Sequence, residues 1–332
     1  MQNRNLVRKV AMVGVAGSAG LLAVRFLFPN MGKKRRSSPI AKAVQEFRSA
    51  IGDFLSLLPK NAVDGFETDV HQVKVYSRLL RPEGNHHKDQ LPFILLAGAG
   101  LSGRYFIPLG KLLSQQAMVY IPDYPGCGWS GKPMDPPGVG ELAETIRSWM
   151  DANGIDRAHL VGNSMGSQVA VELAYRYPKR VGKLVLTCPS VEPMSRTLPR
   201  QFGRFLINFP LEPLTMQMIY MLDYTQTGFL RMLRMLQRIC RDPVETKLPY
   251  IQAPVLVVQG SRDLAVSQAW AEKVASLLPN SRLELIPGKA HCVMYSAADQ
   301  VAQLTRDLIH SEGAEPEQLF IVQGITQQQV LA

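Results

Sequence analysis

A chain of 332 residues can bury a sizeable core, and its 46% hydrophobic and 19% charged side chains are ordinary globular composition, which excludes a collagen, a coiled coil and wholesale disorder. The formal charge of +10 sits at one end: residues 1–50 hold ten Lys and Arg against the single acid Glu46, and the remaining 282 residues hold 27 bases and 26 acids. A nearly neutral body argues against a nucleic-acid partner, and a basic leader reads as a targeting or membrane-surface element.

In chain order, the leader comes first, at residues 1–28. Val10 to Val24 carries no charge; Arg4, Arg8 and Lys9 precede it, and Arg25 and Lys33-Lys34-Arg35-Arg36 follow. A membrane span of about 17–25 apolar residues fits Val10 to Phe28 if Arg25 snorkels to the interface. The heavier positive charge behind it would then keep the body in the cytoplasm. A helix lying in the interface would use the same basic flanks on anionic lipid. A cleaved signal would use Ala16, Ser18 and Ala19, but these lie inside the apolar run, and the basic cluster behind them impedes export. The expectation is a membrane-surface partner for residues 1–36 and a cytoplasmic body. Export through a cleaved signal is the alternative, and a basic tail without a membrane role is the plainest reading. Residues 29–61 read as a linker with an amphipathic helix over Ile40–Leu58.

The body alternates short apolar runs with helical patterns. Strands are predicted at Val70–Tyr76, Pro92–Ala97, Ala117–Ile121, His159–Gly162, Lys183–Leu186, Pro254–Gln259 and Leu283–Ile286. Helices are predicted at Glu141–Asn153, Ser164–Tyr177, Ser267–Leu278 and Ala297–His310. Strand then helix, repeated, predicts an α/β fold: a mostly parallel central sheet with helices on both faces. Functional groups in such sheets gather beyond the carboxyl ends of the strands. No strand pattern appears between Val191 and Lys247, where Met, Leu and Phe recur at helical spacing. That stretch reads as an inserted helical cap at 191–247, splitting a core of 62–190 and 248–312. The plainer reading is an ordinary helical part of the core. Residues 313–332 form a polar, Gln-rich tail.

Chemistry concentrates after three strands. His159-Leu-Val-Gly162-Asn163-Ser164-Met165-Gly166 gives strand, G-x-S-x-G, then helix. A serine hydroxyl needs exposure and a base to act as a nucleophile, and a sharp strand-to-helix turn supplies the exposure. Asp263 follows Pro254–Gln259, and His291 follows Leu283–Ile286. His291 would take the serine proton and Asp263 would fix the imidazole tautomer. An oxyanion needs preorganised donors. One is expected from the N–H of Met165 and the other from Gly98-Ala99-Gly100, with Ala99 favoured and Gly98 close behind. Glu192 and Asp223 are the other candidate acids. His71, His86, His87, His159 and His310 have duller explanations. The Gly-rich loop lacks the phosphate-binding pattern. Cys127, Cys188, Cys240 and Cys292 form no C-x-x-C or zinc spacing and read as buried thiols in a reducing compartment. No metal or organic cofactor is implied. Asp123-Tyr-Pro-Gly-Cys-Gly-Trp-Ser130 reads as a structural turn beside the site.

The GNSMG elbow, the DYPGCGWS loop, the GSRD segment and the GKAH segment, in that order from Pro92 to Leu308, resemble the α/β-hydrolase family. The resemblance implies a serine hydrolase with Ser164, Asp263 and His291 as its triad and a helical cap. Ala97-Gly98 stands where many members carry His-Gly, and Ser167 where many carry a second glycine. Ser164 argues against the members that use an aspartate nucleophile. The expected activity is hydrolysis of a carboxylic ester or thioester of a hydrophobic acyl substrate through an acyl-enzyme. GNSMG is also common among hydrolases that split C–C bonds of aromatic ring-cleavage products. Those usually follow the histidine with Trp, where this chain has Cys292. C–C hydrolysis and a non-catalytic ligand-binding protein on the same fold are the alternatives.

Overall fold

The computed structural model describes residues 49, 51–52, 54–57, 63–83 and 90–311. The leader, the greater part of the linker and its helix, His86, His87 and the polar tail lie outside the described residues. The chain divides into Met1–Ile51 and Gly52–Ala332, and every element below belongs to the second unit. Among the described residues, no helix is long and apolar enough to cross a membrane.

Strand β1 (Asp64–Val70) and strand β2 (Val73–Leu80) form an antiparallel hairpin with Val70 opposite Val73. This corrects the single strand predicted over Val70–Tyr76. His71 and Gln72 have φ of 48° and 65°, and a two-residue loop with both residues left-handed reverses the chain with the twist its strands need. The alternation read along Val70–Tyr76 straddles that turn, and His71 lies in it rather than in a strand. The other predicted runs become β3 (Phe93–Leu96), β4 (Val119–Pro122), β5 (Ala158–Asn163), β6 (Val181–Thr187), β7 (Val255–Gly260) and β8 (Ser281–Ile286).

The eight strands make one sheet in the order β1-β2-β4-β3-β5-β6-β7-β8. β2 pairs antiparallel with β4, and every later pairing is parallel. The expected mostly parallel α/β sheet is therefore present. β3, β5 and β7 are buried along their whole length, as strands covered on both faces are. The covering helices are α1 (Ile107–Leu113), α2 (Val139–Ala152), α3 (Met165–Arg176), α7 (Gln268–Leu277), α8 (Val293–Ser296) and α9 (Ala298–His310). Helix α1 has no counterpart in the sequence reading. Pro108 obscures it, yet that proline sits in the first turn, where a missing N–H costs nothing. Between β6 and β7 the chain forms α4 (Leu198–Asn208), α5 (Leu214–Thr227) and α6 (Phe229–Ile239).

Strand order places the site. From β3 the chain runs to β4 on one side, and β5 then lies on the other side of β3. This is a topological switch point. Leu96 pairs opposite Gly162, so the loop after β3 and the turn after β5 emerge side by side. The neighbouring loop is fixed by buried charge. Asp123 accepts from Arg78 at 2.6 Å, from the Gly103 N–H at 2.7 Å and from the Trp129 N–H at 3.0 Å. Ser130 donates to the Asp123 carbonyl at 2.6 Å. The turn over Asp123–Ser130 thus gathers β2, β4 and the 3-10 turn that leads into α1 around one carboxylate.

Candidate active site

Ser164 follows β5 and is the N-cap of α3, with φ 53° and ψ −116°. A non-glycine residue there is strained, by about 1–3 kcal/mol, and the turn persists because its neighbours leave no alternative. A Cβ on Gly162 would collide with the backbone of Gly166, and one on Gly166 with the carbonyls of Leu96 and Ala97. Both glycines of G-x-S-x-G are therefore required by close packing of the turn on β3. Ser164 remains half-buried.

Asp263 and His291 meet beside it. His291 Nδ1 lies 2.8 Å from Asp263 Oδ2, which also accepts from Gln259 Nε2 at 3.1 Å. The other carboxylate oxygen accepts the N–H groups of Ala265 at 2.7 Å and Val266 at 3.0 Å. The two loops can touch because Gly260 ends β7: a Cβ there would strike the carbonyls of Lys289 and Ala290. Burial pushes the Asp263 carboxyl up, but the His291 pairing and the N–H donors outweigh it and hold it below its usual value. Burial likewise works against a charged His291, and Asp263 reverses this and raises the imidazole. With its Nδ1 proton donated to Asp263, His291 has Nε2 left as a base.

The Ser164 hydroxyl donates to Ser190 Oγ at 3.3 Å, and Ser190 donates to Gln168 Oε1 at 3.4 Å. No hydrogen bond joins Ser164 to His291 among the described residues; the two line one cavity of about 80 Å³. A nucleophile–base contact is often long in a site without substrate. Of the expected oxyanion donors, the Gly98 N–H is committed to Tyr105 Oη at 2.8 Å. Ala99 lines the cavity, and Met165 opens α3, where first-turn N–H groups lack intrahelical acceptors. Asp223 and Glu192 are engaged elsewhere, with Arg104 and Arg204.

A sequence model of the alpha/beta hydrolase fold matches residues 92–227. The chain has the alpha/beta hydrolase fold. It is 25% identical over 287 residues to the putative carbamate hydrolase RutD of Caulobacter sp. strain K31, covering 77% of this chain and 100% of that protein. It is 28% identical over 239 residues to 2-hydroxy-6-oxo-6-phenylhexa-2,4-dienoate hydrolase of Burkholderia cepacia, covering 64% and 84%. The crystal structure of a bacterial membrane phospholipase A superposes with a TM-score of 0.62 at 21% identity, covering 91% of this chain and 98% of that one.

Helices α4 to α6 and the loops that follow the strands share the cavity. Phe202, Phe205, Tyr220, Tyr224 and Met232 face Ser164 and His291 across it. Phe205 makes edge-on contacts with Tyr220 at 5.2 Å and Tyr224 at 5.6 Å. The loop after β3 is fastened to α5: Thr227 Oγ1 donates to the Gly100 carbonyl at 2.8 Å, and Asp223 Oδ2 accepts the Ser102 N–H and hydroxyl, each at 2.8 Å. Arg104 Nε donates to Ser102 Oγ at 2.8 Å and lies 3.1 Å from Asp223 Oδ1. The second contact is charge proximity, since the Nε–H points at the serine.

Several residues that the sequence reading passed over hold this geometry. Asn163 accepts from Tyr105 Oη at 3.0 Å and donates to the Thr187 carbonyl at 3.3 Å, tying β5 to β6 and to the loop after β3. Its position inside the elbow was the available signal. Ser190 and Gln168, beside Ser164, carried none. Cys188 Sγ lies with an Asp263 oxygen and a His291 nitrogen, all within 4.8 Å of one another. Burial, with Asp263 beside it, pushes that thiol well above its usual range.

Proposed function

We propose that this α/β-hydrolase cleaves a carboxylic ester or thioester of a hydrophobic acyl group. The observation that carries the reading is the buried Asp263–His291 pair at 2.8 Å, opening on the same largely apolar cavity as Ser164. Ser164 Oγ attacks the substrate carbonyl carbon, and its proton passes to His291 Nε2. The N–H groups of Met165 and Ala99 stabilise the oxyanion. The C–O or C–S bond breaks as His291 returns the proton to the leaving oxygen or sulfur, giving an acyl-enzyme. Water, deprotonated by His291, then releases the acid. Residues 191–247 act as the cap whose aromatic and methionine side chains receive the acyl chain.

Among the described residues, no Lys or Arg lines the cavity. A substrate carboxylate would lose its hydration there without a cation to replace it, which supports a neutral acyl substrate over an anionic dienoate. C–C hydrolysis is the second reading, favoured by the dienoate hydrolase to which the chain is similar. A series of p-nitrophenyl esters from short to long acyl chains, with Ser164→Ala as control, separates the two. Ester turnover lost by about 10⁶-fold in the variant supports the proposal. A chain inert to every ester but active on a vinylogous keto-acid supports the second reading. A Ser164 that fails to label with a fluorophosphonate supports a non-catalytic binder.

Residues 1–36 hold the enzyme on the cytoplasmic face of a membrane. Co-sedimentation with anionic vesicles tests this: the full chain should pellet, and a chain lacking those residues should stay in solution.

A further inference from the structure

The inserted segment reaches behind the acid–base pair. Asn208 ends α4 and Glu212 follows four residues on; they are 2% and 3% exposed. Asn208 Oδ1 accepts the N–H of Leu264, the residue after Asp263, at 3.0 Å. Asn208 Nδ2 donates to Glu212 Oε1 at 3.0 Å. That oxygen also accepts the N–H of Cys292, the residue after His291, at 3.0 Å. These bonds link the loop of the acid, through the insertion, to the loop of the base.

An amide would serve as well as a carboxylate for the bonds that Glu212 makes, since both accept through one carbonyl-type oxygen. The other oxygen, Oε2, is buried without a hydrogen-bond partner. An unpaired buried carboxylate oxygen is costly to keep, so a purely structural role leaves the acid at this position unexplained. What the carboxylate has and an amide lacks is charge. The loop geometry puts that charge one residue from His291. We infer that Glu212 is a positioning residue that serves as a second carboxylate for His291: Asn208 holds it, and it stabilises the imidazolium formed when the ring takes the Ser164 proton. The inference rests on the serine-hydrolase reading for its function, but not for its measurement.

The surroundings are consistent with it. Burial holds the Glu212 carboxyl above its usual value, and His291, Asn208 and the Cys292 N–H oppose that rise without cancelling it. Around His291 stand Asp263, Glu212 and Cys188. Against Glu212 lie Tyr220 and Cys292, whose hydroxyl and thiol are 3.0 Å apart. Burial pushes Cys188, Cys292 and Tyr220 well up, so they stay neutral and add no charge near neutrality.

The test is the His291 titration followed by NMR in the full-length Ser164→Ala protein, where catalysis plays no part. Glu212→Gln keeps the shape and the acceptor but removes the charge, and the His291 pKa is expected to fall by about one unit, a tenfold change in proton affinity. Glu212→Asp keeps the charge but shortens the reach to the Cys292 N–H, and the pKa is expected to stay closer to that of the unaltered protein. A hydrogen-bonding role alone predicts the reverse order. A pKa left in place by glutamine, or lowered by about a full unit by aspartate, overturns the inference, and either variant decides if the other does not fold. With Ser164 present, the acid limb of kcat/KM should move down by the same amount in Glu212→Gln. An enzyme inactive on all esters would sink the functional reading while leaving the titration intact.

Discussion

Asp263, in the loop beyond β7, and Asp223, on α5, are both sealed inside the protein beside a cationic partner, yet their acidities move in opposite directions. Burial raises both. At Asp223 burial wins, despite Arg104 and the two bonds from Ser102. At Asp263 burial loses to His291 and to the Ala265 and Val266 N–H groups. A permanent cation nearby therefore does not by itself hold a buried carboxylate below its usual value; the number and aim of its donors also count. The partners differ as well. Arg104 cannot give up a proton in a protein, so its pair can only hold structure. His291 changes charge near neutrality, so its pair can do chemistry.

The largest expected effect tests this contrast at Asp263. In Asp263→Asn, an amide N–H can take the place of the oxygen that faces His291 Nδ1, which disfavours a proton on Nδ1 and leaves Nε2 protonated. Ester turnover should fall by about 10⁴-fold while the fold survives. A variant that keeps a tenth of the activity would mean that Asp263 does not set the tautomer.

The next effect should appear in stability. Asp223→Asn leaves Arg104, 2% exposed, as a buried cation without its counter-charge, a loss of about 3–5 kcal/mol. Urea unfolding of the variant measures it. Because Asp223 also holds the Ser102 segment of the loop after β3, some turnover should be lost as well, though far less than in Asp263→Asn. If the two variants lost activity equally, the division between a structural and a chemical carboxylate would fail.

How much of this was legible beforehand follows the range of each interaction. Ser164, Asp263 and His291 each follow a strand within a few residues, and the local run of apolar residues announces the strand. The glycines at 162 and 166 carry their own reason, since the turn has no room for a Cβ. The role of Asp223 was not legible, because its partner Ser102 lies 121 residues away. Glu212 meets Cys292 across 80 residues and gives no periodic signal. The Gly98 N–H looked available until Tyr105, seven residues on, was seen to occupy it. The hairpin at His71-Gln72 was missed because neither residue is the glycine or asparagine that marks such turns.

The smallest expected effect is the pH dependence of stability, where the sign distinguishes the two sites. Asp263 is held below its unfolded value of about 3.9, so its contribution is present above that pH and is lost as pH falls through the folded value. His291 is held above its unfolded value of about 6.5, so its contribution is present below that pH and is lost as pH rises through the folded value. Both contributions are in force between about pH 4 and 6.5, and each fades at no more than about 1.4 kcal/mol per pH unit. Asp223, raised rather than lowered, has the opposite sign: it favours folding at low pH and loses that advantage as pH rises through its folded value. Unfolding at pH 3, 5 and 8 should therefore show Asp263→Asn flattening the rise from pH 3 to 5, and Asp223→Asn leaving that rise in place or steepening it. If both substitutions flattened it, Asp223 would be held below rather than above its usual value, and the cation rather than the donor count would govern both sites.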